Sequence, residues 1–146
     1  MWQAFCICLT KQLLMNLSVP QSYSCVIIDD SRMSKPLFEH FISKIDKLNL
    51  RGSFTDLVDA MGAFWSYGKV DFLFLDIQMD ISGIDVARML KNSFKFVVIL
   101  GEPGNEAIDI FANRCKFLPK PLDFTKFLDM INQLISTERE SSTQLL

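Results

Sequence analysis

The sequence has little of what zinc-binding and disulfide-stapled folds are built from. It contains one histidine, His40, and four cysteines, Cys6, Cys8, Cys25 and Cys115, with no Cys-x-x-Cys pair. His40 has no ligand spacing to any of the cysteines, so a zinc site is not expected. Cys25 and Cys115 fall inside apolar runs, which predicts buried thiols rather than the disulfides of small secreted domains.

A basic run and a long apolar run are also missing. Fifteen Lys and Arg stand against seventeen Asp and Glu, which gives a formal net charge of −2. This charge balance argues against nucleic-acid binding through phosphates. No apolar stretch reaches the ~18 residues that a membrane span needs. Neither nucleic acid nor a membrane is therefore an expected partner, and a cytoplasmic location is expected.

The chain does have enough apolar material for one core. Hydrophobic residues make up 49% of the 146 residues, which excludes an intrinsically disordered protein and fits a single domain. Residues 1–24 carry one charge, Lys11, and are interpreted as a poorly ordered N-terminal extension. Residues 136–146 are polar and rich in Ser and Glu, which predicts a frayed tail. The folded domain is expected over residues 25–135.

Between these ends, short apolar runs alternate with segments of helical periodicity. The predicted strands are Cys25–Ile28, Leu48–Arg51, Phe72–Leu75, Phe96–Leu100 and Cys115–Leu118. The predicted helices start at Ser34 as N-cap with Pro36 in the first turn, at Leu57, at a capping box over Ser82–Asp85, near Ala107–Phe111, and at Asp123 as N-cap. Strict alternation of five strands and five helices predicts an α/β fold, a doubly wound five-stranded parallel sheet with helices on both faces.

The same patterns predict which individual side chains are buried and which face solvent. Phe72–Leu75 contains no polar residue, so both faces of this strand are expected to be buried. Trp65 and Tyr67 close the second helix and are interpreted as packing residues. His40 falls on the polar side of the first helix and Glu102 follows the fourth strand, so both are expected to face solvent.

Charged side chains follow three of the predicted strands. Asp29 and Asp30 come directly after the first strand, Asp76 after the third and Lys120 after the fifth, where it precedes Pro121. Because the carboxyl ends of parallel strands meet at one edge, these groups should converge. Carboxylate oxygens suit Mg²⁺, and a carboxylate beside a divalent cation and a lysine can attack phosphorus. Taken singly, each aspartate fits a helix cap or a turn; the joint placement favours a site.

Three motifs around these residues resemble one known family. They are Val26-Ile-Ile-Asp-Asp-Ser-Arg-Met33, Phe72-Leu-Phe-Leu-Asp-Ile-Gln-Met79 with Gly83, and Phe117-Leu-Pro-Lys-Pro121. In this order and spacing they are similar to the receiver domain of two-component response regulators, the CheY-like family, over about Cys25 to Ile135. The resemblance implies a flavodoxin-like sheet and a phosphoacceptor protein that is not an enzyme beyond slow self-dephosphorylation.

The resemblance also implies a role for each residue at the predicted edge. Asp29 and Asp30 match the acidic pair that binds Mg²⁺. Asp76 matches the aspartate that accepts phosphate from a sensor histidine kinase or a phosphotransfer protein. Gln78 matches the position whose backbone carbonyl reaches the metal, and Lys120 matches the family's lysine at the phosphoryl site.

Three further positions, Leu100, Gly101 and Phe117, belong to the implied switch, and Pro121 is singled out beside them. Phe117 matches the aromatic switch residue, and Pro121 is the candidate for a cis bond after the lysine. Leu100, or Gly101 in a shifted register, stands where the family has the Ser or Thr whose hydroxyl binds the phosphoryl group. Gly101 also fits the small residue that normally follows. A hydrogen bond to a charged group contributes about 1.5–3 kcal/mol, so its loss should weaken the coupling of phosphate to conformation without abolishing metal binding.

The loop after Asp76 departs from the family as well. The family commonly has Met-Pro there and reaches its glycine eight residues past the aspartate, whereas Asp80 follows Met79 here and Gly83 is seven residues past. The loop is therefore predicted to be one residue short, which bears on the geometry of the Gln78 carbonyl.

Three functions are compatible with these observations. The first is a stand-alone receiver domain that signals through contact with an unidentified output protein, and a homodimer is compatible with it. The second is a receiver-like module that binds partners independently of phosphate, which Leu100 and the short loop favour. The third is a metal-dependent phosphohydrolase with Asp76 as nucleophile, but such enzymes usually carry a second aspartate where this chain has Gln78.

Overall fold

The structure is a computed structural model, and it describes residues 21–76, 78, 83–101 and 114–144. The strands in these ranges are β1 (Tyr23–Ile28), β2 (Leu48–Phe54), β3 (Val70–Asp76), β4 (Phe94–Leu100) and β5 (Cys115–Leu118). The helices are α1 (Ser34–Ser43), α2 (Leu57–Tyr67), α3 (Gly83–Leu90) and α4 (Phe124–Gln144). The helix predicted near Ala107–Phe111 lies outside the described residues.

The five strands form one parallel sheet in the order β2-β1-β3-β4-β5. This confirms the predicted doubly wound fold. The chain adds β2 on one side of β1 and then adds β3, β4 and β5 on the other, so the winding reverses between β1 and β3. In such sheets, sites form beyond the carboxyl ends of the strands at this reversal. Those ends are Ile28 of β1 and Asp76 of β3, and Ile28 lies opposite Leu75 in the register.

The apolar side chains of the sheet form two cores, one on each face. The first core lies under α1 and α4 and includes Phe72 and Phe74 of β3. The second core lies under α2 and α3 and includes Leu73 and Leu75 of the same strand. All four side chains are fully buried. This confirms that both faces of β3 are covered, and it follows from the period-two alternation of a strand.

The last helix is longer than the polar composition of the chain end predicts. α4 continues to Gln144, so the frayed tail predicted from Ser136 is wrong up to that residue. Glu138 forms an ion pair with Lys95 of β4, and Lys95 lies 3.6 Å from a carboxylate oxygen of Asp71 in β3. These charges tie the helix to the amino ends of the strands.

No described helix, α4 included, combines the length and the hydropathy that a membrane crossing requires.

Two strands extend beyond their predicted bounds. β1 begins at Tyr23, whose N–H donates to the Lys47 carbonyl at 2.7 Å, so two residues assigned to the N-terminal extension belong to the sheet. β2 continues from Leu48 to Phe54 instead of stopping at Arg51. β2 is an edge strand and is only partly buried, so it contains polar residues. An apolar run therefore does not mark its full length in the sequence.

Trp65 is the clearest departure from the predicted packing. Its side chain is 90% exposed, so its interpretation as a packing residue is wrong. Val58 of the same helix is 79% exposed and lies seven residues, or about two helical turns, away. Both therefore stand on the outer face of α2, whereas Ala60 of the same helix is fully buried on the second core.

The histidine and two of the cysteines lie in the described part of the chain. His40 is exposed on α1, as predicted. Cys25 is fully buried, and Cys115 is half-buried against the second core. Burial raises the pKa of the Cys25 thiol to about 12 and that of Cys115 to about 11. Neither residue is a thiolate at neutral pH, so cysteine nucleophilic chemistry is not expected at these two residues.

Tyr67 is a packing residue, as predicted, and it lies above a glycine of β2. The Arg51 guanidinium lies over the Tyr67 ring, 5.0 Å from the ring centroid. A Cβ atom at Gly52 would come within 2.7 Å of the Tyr67 hydroxyl and within 2.6 Å of the Phe54 ring. The close approach of these rings explains a glycine inside a strand.

Gly52→Ala is therefore expected to lower the free energy of unfolding by about 1–3 kcal/mol, because the Tyr67 and Phe54 rings must shift. The matched control is Gly62→Ala in α2, where an added Cβ meets nothing within 4 Å. The better helix propensity of alanine should raise the free energy of unfolding there by about 0.5–1 kcal/mol. Urea unfolding measures both, and effects of the same sign would contradict the packing described for β2.

Candidate functional site

The three aspartates predicted at the sheet edge lie together in the structure. Asp29 follows β1, Asp76 ends β3, and one carboxylate oxygen from each of Asp29, Asp30 and Asp76 lies within 4.8 Å of the other two. Asp29 and Asp76 are buried, whereas Asp30 is exposed. This group, called the acidic cluster below, therefore has two acids inside the protein and a third that faces solvent.

Donors from the segment after β1 hold the Asp29 carboxylate. Its Oδ1 accepts the Ser31 N–H at 2.8 Å, and its Oδ2 accepts the Ser34 hydroxyl at 2.6 Å. Burial raises the pKa of Asp29, and the charge of Asp76 adds to the rise. The two hydrogen bonds and the Lys120 ammonium oppose the rise without cancelling it. A cation placed at the cluster would favour the ionised carboxylate.

Lys120 reaches the cluster from the end of β5. Its Nζ lies 3.2 Å from Asp76 Oδ1, and the same oxygen accepts the Gln78 N–H at 3.0 Å. The Lys120–Pro121 peptide bond is cis. The side chain of Asp76 is 3% exposed and that of Lys120 is 29% exposed, so the pair is open to solvent mainly on the lysine side.

The structure places Ser34 in this site, which its predicted role as a helix N-cap did not indicate. It was assigned as the N-cap of the first helix, but the N-cap position is Met33 and Ser34 is the first helical residue. Its hydroxyl donates to Asp29 and accepts from Lys120 Nζ at 3.4 Å. The sequence signal, a serine five positions after Asp29, becomes informative only once the start of α1 is known.

The end of β4 brings a leucine beside Asp76. Leu100 lies opposite Asp76 in the β3–β4 register, so the strand end falls at Leu100 and not at Gly101. The Leu100 side chain is fully buried in the first core. Gly101 has a φ of 127°, which favours glycine, and its N–H donates to the Leu118 carbonyl at 2.8 Å. Phe117 is half-buried and packs against the second core.

Part of the predicted site lies outside the described residues. Residues 79–82, with the shortened loop and the capping serine, and Glu102 are in this part of the chain. Gln78 is an exposed turn residue, and the role of its carbonyl stays a prediction.

The donor set of the acidic cluster fits a hard divalent cation. Its donors are carboxylate oxygens, which Mg²⁺ prefers. Three carboxylates against one ammonium leave an excess of negative charge, and two of the carboxylates are buried. Such an arrangement is unfavourable unless a cation or a proton neutralises it. The residues present therefore suit Mg²⁺, with exposed Asp30 on the side from which a hydrated ion can enter.

The raised pKa of Asp29 predicts a pH dependence of stability in the absence of divalent cations. Between the ordinary pKa of Asp and the raised folded value, the folded state binds more protons than the unfolded state. The free energy of unfolding should therefore fall as pH rises through this range. Urea unfolding between about pH 4 and pH 7 measures the effect. Asp29→Asn should flatten this part of the profile, and an unchanged profile in that variant would contradict the assignment.

Comparison by sequence finds no relative: no family model matches the chain, and no curated protein matches it. Comparison by structure finds 130 chains of solved structures that match this chain.

Three of these structures illustrate the match. The response regulatory domain of mrkE from Klebsiella pneumoniae is 21% identical, with a TM-score of 0.66 over 80% of this chain and 98% of that chain. The signal receiver domain of the DNA binding response regulator merR from Colwellia psychrerythraea 34H is 20% identical, with a TM-score of 0.63 over 79% and 99%. RcsB from Salmonella enterica serovar Typhimurium, bound to promoter rprA in the presence of phosphomimetic BeF3−, is 16% identical, with a TM-score of 0.66 over 77% and 67%. At these identities the likeness is one of fold: the chain has the flavodoxin-like fold of response regulator receiver domains.

Proposed function

We propose that the protein is the receiver domain of a two-component system and accepts a phosphoryl group on Asp76 with the help of Mg²⁺. The observation that carries this proposal is the position of Asp76. It is buried, lies 3.2 Å from Lys120 and is grouped with Asp29 and Asp30. One ammonium does not neutralise three carboxylates, so the arrangement suits the binding of a cation better than a structural ion pair. Together with Lys120, the bound cation would offset the charge of a phosphoryl group.

In the proposed reaction, a carboxylate oxygen of Asp76 attacks the phosphorus of a phosphohistidine. The P–N bond breaks as the P–O bond forms, and the imidazole, protonated on its other nitrogen, leaves as a neutral ring. The Lys120 ammonium pairs with a phosphoryl oxygen in place of the carboxylate oxygen that it contacts at rest. Asp29, Asp30, Asp76 and the Gln78 carbonyl would hold Mg²⁺, which would supply further neutralisation of the phosphoryl oxygens.

The proposal includes the partners of this reaction. The phosphoryl donor is a sensor histidine kinase or a phosphotransfer protein, and the output is contact with another, unidentified protein in the cytoplasm. In this proposal the receiver domain predicted over residues 25–135 also includes Tyr23 and Ser24 of β1 and the end of α4 up to Gln144. RcsB, one of the structural neighbours, was solved with phosphomimetic BeF3−, which supports a phosphate-responsive site in this fold. A homodimer is compatible with the proposal.

The proposal is tested by incubating the protein with a small acyl phosphate and Mg²⁺ and measuring its intact mass. We expect the addition of one phosphoryl group, which hydroxylamine removes because the adduct is an acyl phosphate. Asp76→Asn should show no adduct. Asp46→Asn, which changes an exposed acid between α1 and β2, should be phosphorylated like the wild type. The absence of an adduct in the wild type, with Mg²⁺ binding intact, would contradict the proposal.

One observation favours a second candidate function, a receiver-like module that binds its partners independently of phosphate. Leu100 occupies the position beside Asp76 at which the family's hydroxyl would bind the phosphoryl group, and it is fully buried in the first core. A ligand shifts a two-state equilibrium only by its differential interaction with the two states. Without a donor at Leu100, the pull that would reposition Phe117 is reduced.

Leu100→Thr is expected to enlarge the phosphorylation-dependent change of β4 and β5. The new hydroxyl can donate to the phosphoryl group, and a hydrogen bond to a charged group contributes about 1.5–3 kcal/mol. Leu100→Val is the matched control, because valine has the shape of threonine without the hydroxyl. Amide hydrogen exchange with and without beryllofluoride measures the change. We expect an additional protection of ~10-fold in Leu100→Thr alone; a large change already present in the wild type and unaltered by threonine would contradict this reading.

A further inference from the structure

A serine hydroxyl stands between the acidic cluster and Lys120. Ser34, the first residue of α1, donates its hydroxyl hydrogen to Asp29 Oδ2 at 2.6 Å. The same oxygen accepts from Lys120 Nζ at 3.4 Å, and Lys120 in turn lies 3.2 Å from Asp76 Oδ1. One side-chain atom of α1 therefore connects a carboxylate that follows β1 with an ammonium that follows β5.

These contacts match the donor and acceptor capacity of each group. A serine hydroxyl has one hydrogen and two lone pairs, so it can donate to Asp29 and accept from Lys120 at the same time. Each Asp29 oxygen accepts one of the two described hydrogen bonds, Oδ1 from Ser31 N–H and Oδ2 from Ser34. Because a carboxylate oxygen has about two acceptor positions, both oxygens can still ligate a cation. The two hydrogen bonds fix the plane of the carboxylate.

The Ser34 hydroxyl does not serve its own helix. The backbone N–H of Ser34 donates to Ser31 Oγ at 3.1 Å, whereas the Ser34 hydroxyl donates to Asp29 in the site. Ser43 at the other end of α1 shows the usual local alternative, because its hydroxyl donates to the His40 carbonyl three residues back at 2.6 Å. The same residue type thus has a local role at one end of α1 and a contact with the site at the other.

We infer that Ser34 is a positioning residue of this site, which orients Asp29 and Lys120 for the cation and for the phosphoryl group. The inference rests on the proposed function and adds to it a residue that none of the three motifs assigns. In this inference the side-chain hydroxyl at the site comes from Ser34 of α1, because the side chain at the end of β4, Leu100, has no hydroxyl. Residues that hydrogen-bond a metal ligand typically change metal affinity by about 10–100-fold when they are replaced.

The test is a calorimetric Mg²⁺ titration of the full chain and three variants at one neutral pH. Ser34→Ala should weaken Mg²⁺ binding by about ten-fold and slow the formation of the acyl phosphate. Ser34→Thr restores a hydroxyl and should recover most of the affinity. Ser43→Ala removes the same group from the same helix and should bind Mg²⁺ like the wild type.

Thermal unfolding of the metal-free variants separates positioning from a merely structural role. A structural role would lower the melting temperature of Ser34→Ala and leave its Mg²⁺ affinity unchanged, which would overturn the inference. Tighter Mg²⁺ binding in Ser34→Ala would also overturn it, because the hydroxyl would then compete with the cation. An equal loss in Ser43→Ala would do the same. If the wild type neither binds Mg²⁺ nor accepts a phosphoryl group, the proposed function fails, and the wild-type titration and intact mass alone report that result.

Discussion

Asp30→Asn is expected to weaken Mg²⁺ binding at the acidic cluster by about ten-fold or more, because it removes one of three charged oxygen ligands. Asn has nearly the size of Asp, and Asp30 is exposed, so the substitution should leave the fold unchanged. The loss therefore reports on the cation site and not on stability. Calorimetric titration with Mg²⁺ at low ionic strength and constant pH measures it.

Asp46→Asn provides the matched control for this titration. Asp46 is an exposed acid between α1 and β2, at the amino ends of the strands and so at the opposite end of the sheet from the cluster. It changes the net charge of the protein by the same amount, so it corrects for non-specific attraction of the cation. Equal Mg²⁺ affinities for Asp30→Asn and Asp46→Asn would remove Asp30 from the ligand set.

Phe127→Ala is expected to lower the free energy of unfolding by about 3–5 kcal/mol. The Phe127 ring is fully buried in the first core. Its centroid lies 4.8 Å from that of Phe38, 5.6 Å from that of Phe74 and 6.3 Å from that of Phe41. The ring thus joins α4 to α1 and β3, so its truncation removes aromatic contacts with two other elements and leaves a cavity between them.

Urea unfolding of Phe127→Ala beside Thr125→Ala measures this effect. Thr125 is exposed on the same helix, and its replacement should change the free energy of unfolding by no more than about 0.5 kcal/mol. A loss below about 1 kcal/mol in Phe127→Ala would contradict the docking of α4 on the first core.

The features that were predictable from the sequence are those that local composition decides. β3 was found because Phe72–Leu75 is apolar at every position, and its two faces enter the two cores. The convergence of Asp29, Asp76 and Lys120 was predictable because each follows a strand and a parallel sheet brings the strand ends together. Neither prediction required a knowledge of contacts between distant side chains.

The features that escaped prediction depend on such contacts. Glu138 lies in α4 and pairs with Lys95, which is 43 positions away in the chain, and no local pattern indicates this contact. Helical periodicity puts Trp65 on α2 but does not give the width of the buried stripe. The fully buried side chain of this helix is the small one of Ala60, and its larger core-facing side chains are only partly buried. The role of Ser34 depends on where α1 begins, which the capping preference of serine placed one residue too late.

The location of the phosphoryl group after treatment with an acyl phosphate and Mg²⁺ tests the proposed function most directly. Borohydride reduces an aspartyl phosphate to homoserine, so a peptide map identifies the carboxylate that carried the phosphoryl group. Homoserine is expected at position 76, with Asp29 and Asp30 unmodified. Homoserine at either of those two positions, or phosphate on His40 or Ser82 with position 76 unmodified, would contradict the assignment of Asp76 as the phosphoacceptor.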